Sequence, residues 1–306
     1  MRFTIEHPIG GTDCAPDLYG PTGLPVFARA AEEAGFDALA FTEHPAPSAK
    51  WLSSGGHATL DPVAALGFVA AATTRLRIMP FLLILPYRNP LLGAKSIVSL
   101  DLLSGGRLVV GAGGGYLRSE FGALGVDFEE RGALFDEALD VLRGVCTDPE
   151  YRYAGRHFTA RGVTMVPGPV QRPHPPVWIG GNGRTARRRV VRAGQGWSPL
   201  IADEQRARTT RMPAITSVSQ MGSAISELHD LLVEAGRDPK DVDVQVQSSA
   251  FSGPLGPELS VEQVRDHLGE LEAVGVSQFV VRCRASSVAE ATDELARYGA
   301  EIILHG

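Results

Sequence analysis

A phrase of helix, glycine and buried strand recurs along this chain, and no other feature restricts its fold so tightly. Leu24, Phe27, Ala28, Ala31 and Ala34 mark one face of a helix, Gly35 ends it, and the apolar run Ala38-Leu39-Ala40-Phe41-Thr42 follows. The phrase returns where Asp101–Gly106 leads to Leu108-Val109-Val110, where Val191–Gly194 leads to Trp197 and Leu200, and where Leu271–Gly275 leads to Phe279-Val280-Val281. Glycine tolerates the left-handed conformation that commonly ends a helix. A short apolar run fits a strand buried on both faces. A helix between two such strands is a crossover, which makes the strands parallel.

Read in order, the strands fall at Arg2–Glu6, Ala38–Thr42, Arg77–Leu85, Leu108–Gly111, Val177–Ile179, Gly196–Pro199, Val242–Gln247 and Ser277–Arg282. Helices fall between them, among them Asp61–Thr74 with Asp as N-cap and Pro in the first turn, Asn89–Leu103, Glu129–Val145 and Ser287–Ile303. This order predicts a (β/α)₈ TIM barrel, one domain over residues 1–306. Residues 148–176 break the rhythm with prolines, aromatics and an extended run, Val163–Val166. They read as a hairpin-like insertion between the fourth and fifth strands. Gly10–Gly23, Asp203–Ser219 and Gly253–Pro257 read as loops. The rival architecture is a doubly wound open sheet with a dinucleotide fingerprint. Gly111-Ala112-Gly113-Gly114-Gly115-Tyr116 does not supply that fingerprint, because Tyr116 holds the place of the third glycine.

Hydrophobic residues make up 44% of the chain, enough for a sizeable core, and the net charge of −6 argues against a nucleic-acid surface. No apolar run reaches membrane-spanning length, and Met1–Glu6 reads as a first strand rather than a leader. Cys14, Cys146 and Cys283 show no metal-binding spacing. The expectation is a cytoplasmic protein with no bound metal and a small-molecule substrate, making no contact with nucleic acid or membrane.

Barrels of this class carry their chemistry at the carboxyl ends of the strands. Glu43-His44-Pro45 leaves the second strand directly. A charged pair at the exit of a buried strand adds nothing to packing, and histidine moves protons near neutral pH. Glu6, His7, His57 and Glu120 reach the same rim. Two histidines and a carboxylate are also a metal-binding set, although no compact ligand spacing supports one. Gly113, Gly114 and Gly115 allow a flat ligand to approach the backbone closely. Ile179-Gly180-Gly181-Asn182-Gly183-Arg184-Thr185 runs from a strand through glycines into a helix start, where free N–H groups suit phosphate and Arg184 adds a charge. Arg282 and Arg284, around Cys283, are either a second anion contact or solvated charges.

Taken together, Glu43-His44-Pro45, Leu85–Pro90, Leu103–Gly111 and Pro173–Asn182 resemble the bacterial luciferase-like superfamily. Within it, the likeness is to the oxidoreductases that use the deazaflavin coenzyme F420, over residues 1 to about 250. The resemblance implies a homodimeric (β/α)₈ barrel holding a flavin or deazaflavin across the strand ends. It implies an active-site His44 beside the reactive ring, with Glu43 setting its tautomer or the shape of the loop. Gly113, Gly114 and Gly115 would flank the ring, and Gly181, Asn182, Gly183 and Arg184 would hold a phosphate. A non-proline cis peptide at Pro80-Phe81 or Phe81-Leu82 would buttress the ring. Tyr116 stands where sugar-phosphate dehydrogenases of the family carry an acid, and is a proton donor or a stacking surface. Their tryptophan after the histidine has no counterpart at Ser48, although Trp51 is close. The implied activity is hydride transfer between F420 and an unidentified organic substrate. Alternatives are an FMN-dependent monooxygenase, a metal-dependent barrel lyase or isomerase using Glu43, His44 and His57, and a flavin carrier without turnover.

Overall fold

The computed structural model describes residues 1–8 and 16–304. Cys14 and much of the glycine-rich stretch before Gly23 lie outside the described residues. The strands in chain order are β1 (Arg2–Glu6), β2 (Ala38–Phe41), β3 (Arg77–Pro80), β4 (Leu83–Ile84), β5 (Val110–Gly113), β6 (Tyr151–Ala154), β7 (Thr159–Val163), β8 (Val177–Gly180), β9 (Gly196–Ser198), β10 (Leu200–Ile201), β11 (Asp243–Ser248) and β12 (Gln278–Arg282). Parallel pairing links them in the order β3-β2-β1-β12-β11-β9-β8-β5-β4, with β10 beside β11. The sheet is nearly closed into a barrel and helices surround it, as the recurring phrase predicts.

The third barrel strand departs from the expected continuous run. β3 pairs with β2, whereas β4 pairs with β5 on the other side. The switch occurs at Phe81-Leu82, whose peptide bond is cis. Ile78 also bridges Leu108 directly, so the split strand is what brings the two edges of the sheet together. Beyond Ile84 the chain enters a 3-10 turn, Leu85–Tyr87. The fourth barrel strand begins later than expected, at Val110, and ends at Gly113, so Gly113 belongs to the strand rather than to the loop. Gly111 sits where this convergence demands it: a Cβ there would lie 2.3 Å from the Pro80 carbonyl oxygen.

Helix starts follow local chemistry. The Asp61 side chain accepts from Ala64 N–H at 2.9 Å, and Asn89 accepts from Leu91 N–H at 3.0 Å, each followed by proline. The helix expected from Glu129 begins at Arg131 and runs to Thr147. The last helix ends at Tyr298, and a π turn occupies Gly299–Ile303. Asp203–Ser219 is not a plain loop. It contains a short helix, Glu204–Thr209, and the start of a long one, Val218–Glu234. Asp203 caps the short helix through Arg206 N–H at 2.7 Å.

The insertion is a hairpin of β6 and β7, placed earlier than the extended run at Val163–Val166 suggested. His157 pins it to the body, with Nδ1 2.7 Å from Glu137 and Nε2 3.0 Å from Glu130. Inside the barrel, Ala40, Met79, Val109 and Trp178 form an apolar plug. A buried polar layer accompanies it, in which Gln245 donates to Thr4 at 2.9 Å and accepts from Ser198 at 3.0 Å. Buried polar side chains are tolerated there because each finds a partner. The strands' outer faces and the helices enclose the main core. Among the described residues no helix is long and apolar enough to cross a membrane.

Candidate active site

A cavity of about 860 Å³ opens at the carboxyl ends of the strands. Glu6 and His7 enter it from β1, Glu43 and His44 from the end of β2, and Leu82 from the split strand. The glycine run beyond β5, Gly180 and Gly181 at the end of β8, and Arg282 at the end of β12 complete its wall. All of them stand at strand exits, which a parallel barrel gathers on one face.

His44 is the centre of a proton-handling cluster. Its Nδ1 lies 3.1 Å from Glu120 Oε2, and the His44 and Glu120 side chains are 8% and 0% exposed. The same carboxylate accepts from the Tyr87 hydroxyl at 3.0 Å and from Ala46 N–H at 3.2 Å. Glu120 therefore holds the hydrogen on Nδ1 and leaves Nε2 with its lone pair toward the cavity. The Tyr116 hydroxyl stands 3.5 Å from that Nε2. Burial pushes the Tyr116 phenol up to about 12, with Arg206 opposing and Glu120 and Glu6 adding to the rise. Tyr116 is thus a protonated hydroxyl at neutral pH. Trp51 packs on the histidine, ring centres 4.5 Å apart, which fixes the imidazole plane. The short helix Ala49–Ser53 carries Trp51 into this position.

His57 completes a triangle of rings, its centre 4.9 Å from that of His44 and 5.2 Å from that of Trp51. Burial lowers it to about 3, and the positive charges of Arg206 and Arg282, with that of His44 when it is protonated, add to the shift. It is therefore neutral, and its Nε2 meets the Thr42 hydroxyl at 3.2 Å. His7 is also lowered to about 3 by burial, and stacks on Phe41 with ring centres 4.6 Å apart.

Glu43 has a different task from the one its place beside His44 implies. One carboxylate oxygen accepts from Ile84 N–H at 2.6 Å, and the other is paired with Arg88. It secures the split third strand and so shapes the loop. The tautomer of His44 is set by Glu120 instead. His44 and His57 stand edge to face with ring centres 4.9 Å apart, but Glu43 is turned away to Ile84 and Arg88, and among the described residues no group of three His, Cys, Asp or Glu side chains is arranged to hold a metal.

The glycines also divide by role. A Cβ at Gly180 would lie 2.0 Å from Leu82 Cδ1, and one at Gly113 would lie 3.0 Å from Leu82 Cβ. These two strand ends are bare so that Leu82 can lie across them. Gly115 has φ +75 and would bring a Cβ to 2.8 Å from Phe121. Gly114 alone of the three has nothing within 4 Å of an added Cβ, so its face is open backbone toward the cavity. Phe81 lines the cavity, whereas Pro80 is a buried strand residue behind it.

The turn beyond β8 is partly turned away. Gly181, at φ +112, lines the cavity. Asn182 is buried and clamps the next loop: its amide donates to the Leu200 and Pro213 carbonyls at 2.8 and 3.0 Å and accepts from Leu200 N–H at 2.8 Å. Gly183 is the N-cap of the helix Arg184–Ala193. Arg184 is largely exposed and pairs with Glu227 at 3.0 Å. The backbone of this turn remains suited to a phosphate, but the Asn182 and Arg184 side chains are engaged elsewhere.

Glu120 stood among the expected rim residues, yet its pairing with His44 spans 76 residues of sequence. The visible signal was its place shortly after the glycine run and Tyr116. Tyr87 lay inside a recognised motif without a role. Arg206 was hidden in a stretch read as loop.

A family model described as luciferase-like monooxygenase matches residues 11–268. The chain is 27% identical to an F420-dependent glucose-6-phosphate dehydrogenase of Amycolatopsis mediterranei, over 83% of this chain and 75% of that protein. It is 33% identical to an FMNH(2)-dependent dimethylsulfone monooxygenase of Pseudomonas putida, over 38% of this chain and 33% of that one. The monooxygenase RslO1 from Streptomyces bottropensis shares the fold, with a TM-score of 0.82 at 21% identity, over 100% of this chain and 99% of that one. The chain spans only 43% and 62% of the length of two uncharacterised relatives, from Sinorhizobium fredii and Mycobacterium tuberculosis.

Proposed function

The chain belongs to the luciferase-like monooxygenase family, and on that footing we propose that it is an oxidoreductase using the deazaflavin coenzyme F420 to exchange a hydride with a small organic substrate. The observation that carries this reading is the Glu120–His44 pair, with His44 and the open backbone of Gly114 lining the same cavity. The site fits a flat, phosphate-bearing ring system. Gly114 leaves room on its cavity face, Leu82 offers an apolar surface behind, and the turn at Gly181 presents backbone toward the same space.

When bound, the deazaflavin ring takes or gives the hydride. Each hydride taken from an alcohol carbon is accompanied by a hydroxyl proton, and His44 Nε2 is placed to receive it. Glu120 stabilises the imidazolium so formed. Tyr116, protonated at neutral pH, holds the substrate oxygen by donating a hydrogen bond, and the aromatic rings of Trp51 and His57 exclude water from one side.

The FMN-dependent monooxygenase reading has its own support in the Pseudomonas putida relative, but that likeness covers far less of the chain than the F420-dependent one. Fluorescence titration with F420 and with FMN separates the two. The expected result is tight F420 binding and weak FMN binding. His44→Asn should then lower oxidation of reduced F420, followed against a panel of ketones, enones and nitroarenes, by about 10²–10⁴-fold, with cofactor affinity nearly unchanged. Binding of FMN alone, or full turnover by the asparagine variant, overturns the proposal.

A further inference from the structure

We infer that the cavity contains a second binding site, on the β12 side of the His44 cluster, in which Arg206 and Arg282 hold a carboxylate or phosphate group of the substrate; the inference rests on the oxidoreductase reading above. Arg282 ends β12 and lies in register with Glu6 on β1. Arg206 projects from the short helix Glu204–Thr209, which follows β10. Both side chains line the cavity.

Glu6 is their neighbouring acid, but neither arginine has a carboxylate in direct contact, and that points to a ligand. Several partly buried arginines elsewhere are matched, Arg88 by Glu43, Arg187 by Glu227 and Arg189 by Asp136, and Arg107 and Arg237 by backbone carbonyls. Among the described residues, neither Arg206 nor Arg282 has a carboxylate within ion-pair distance or a side-chain hydrogen bond, and Arg282 Nε is buried without a partner. Glu6, the neighbouring acid, is bound instead by Gln247 at 2.6 Å. A half-buried guanidinium without an acceptor is costly, and an anion arriving there recovers charge-assisted hydrogen bonds that the protein itself does not supply.

The field around the pair agrees. Burial lowers Arg282 below its ordinary value, and the positive charges of Arg284 and Arg206 push the same way against Glu6. Arg206 and Arg282 also help to depress His57, so their charges reach the His44 side of the cavity. The arginines and the proton-handling cluster line one cavity of about 860 Å³, so a small molecule can reach both. The open glycine wall lies beyond β5 and β8, separated from β12 by β11 and β9. A ring on that wall and an anion on Arg282 can occupy the cavity together.

The test is calorimetric titration with inorganic phosphate, and in parallel with acetate, at low salt, with and without saturating F420. The variants are Arg206→Gln, Arg282→Gln and, as a control on the same helix, Arg208→Gln, whose side chain is exposed and paired with Glu204. At least one of the two anions should bind. Each cavity variant should weaken it by about ten- to a hundredfold, the control should not, and binding should persist with F420 present. Unchanged anion affinity in both cavity variants overturns the inference. So does displacement of the anion by F420 with equal loss of F420 affinity in the variants, because the pair would then serve the cofactor. Should Arg282→Gln fail to fold, Arg206→Gln decides alone. Failure of F420 to bind at all removes the oxidoreductase reading, and the titrations without cofactor still decide the arginine pair.

Discussion

Glu120→Ala is the most informative single change, because one buried carboxylate serves three donors. His44 Nδ1, the Tyr87 hydroxyl and Ala46 N–H all depend on it, at 3.1, 3.0 and 3.2 Å. An orphaned buried donor costs about 1–3 kcal/mol. Ala46 and Tyr87 are only partly buried, so water recovers some of the loss, and the three together should cost about 3–6 kcal/mol. Glu120→Gln keeps a carbonyl oxygen, which accepts two hydrogen bonds, but turns an NH₂ toward the third donor. That variant should cost about 1–3 kcal/mol. Urea unfolding at constant pH measures both. Histidine nitrogen NMR reads the tautomer independently: Nδ1–H in the parent, a mixture of Nδ1–H and Nε2–H in the alanine variant. Turnover should fall in both variants: the alanine frees the orientation of His44, and the glutamine keeps the orientation but loses the negative charge that stabilises the imidazolium. An alanine variant that loses less than about 1 kcal/mol and keeps the Nδ1–H tautomer would refute the arrangement.

Gly114→Val separates fold from binding. Its added carbons point into open space, so stability should change by less than about 0.5 kcal/mol, while F420 affinity should drop at least about a hundredfold, the difference that about 2.7 kcal/mol of lost contact makes. Unchanged affinity would place the ring elsewhere in the cavity. Glu294 supplies a pH test. Burial raises its carboxyl to about 7 from 4.5, against hydrogen bonds from Arg284 N–H and the Cys283 thiol. Between those values the folded chain holds a proton that the unfolded chain has released, so stability falls as pH rises through the window. Glu294→Gln should flatten that slope and stabilise the protein at pH above 7 by about 1–2 kcal/mol, discounted for partial exposure. Unfolding curves on both sides of the window check it, and identical pH profiles for parent and variant would contradict the assignment.

Much of the barrel was legible because its signals are local. The stripe Leu24–Ala34, the stop at Gly35 and the run Ala38–Phe41 are each decided within a few residues of backbone, by side-chain period and by glycine's access to positive φ. The same local logic put His44 and Gly114 at the rim, because strand ends in a parallel barrel share one face. It failed where an element has two possible partners. Arg77–Leu85 reads as one strand by its apolar content, and only the geometry of closure makes it leave β2 for β5 at Phe81-Leu82.

Side-chain roles depended more heavily on the folded structure. Glu43 adjoins His44 in sequence, but successive residues at a strand end point to opposite sides, and Glu43 turns to Ile84 and Arg88. The partner of His44 arrives from another helix altogether. Asn182 and Arg184 sit in a turn whose composition suits phosphate, yet their side chains are drawn to Leu200, Pro213 and Glu227 by packing that no local pattern encodes. By itself the sequence determined which residues lie at the strand ends, since period and chain direction are properties of the backbone. Tertiary structure alone decided which of them face one another, because hydrogen bonds and ion pairs depend on distances that only closure of the barrel sets.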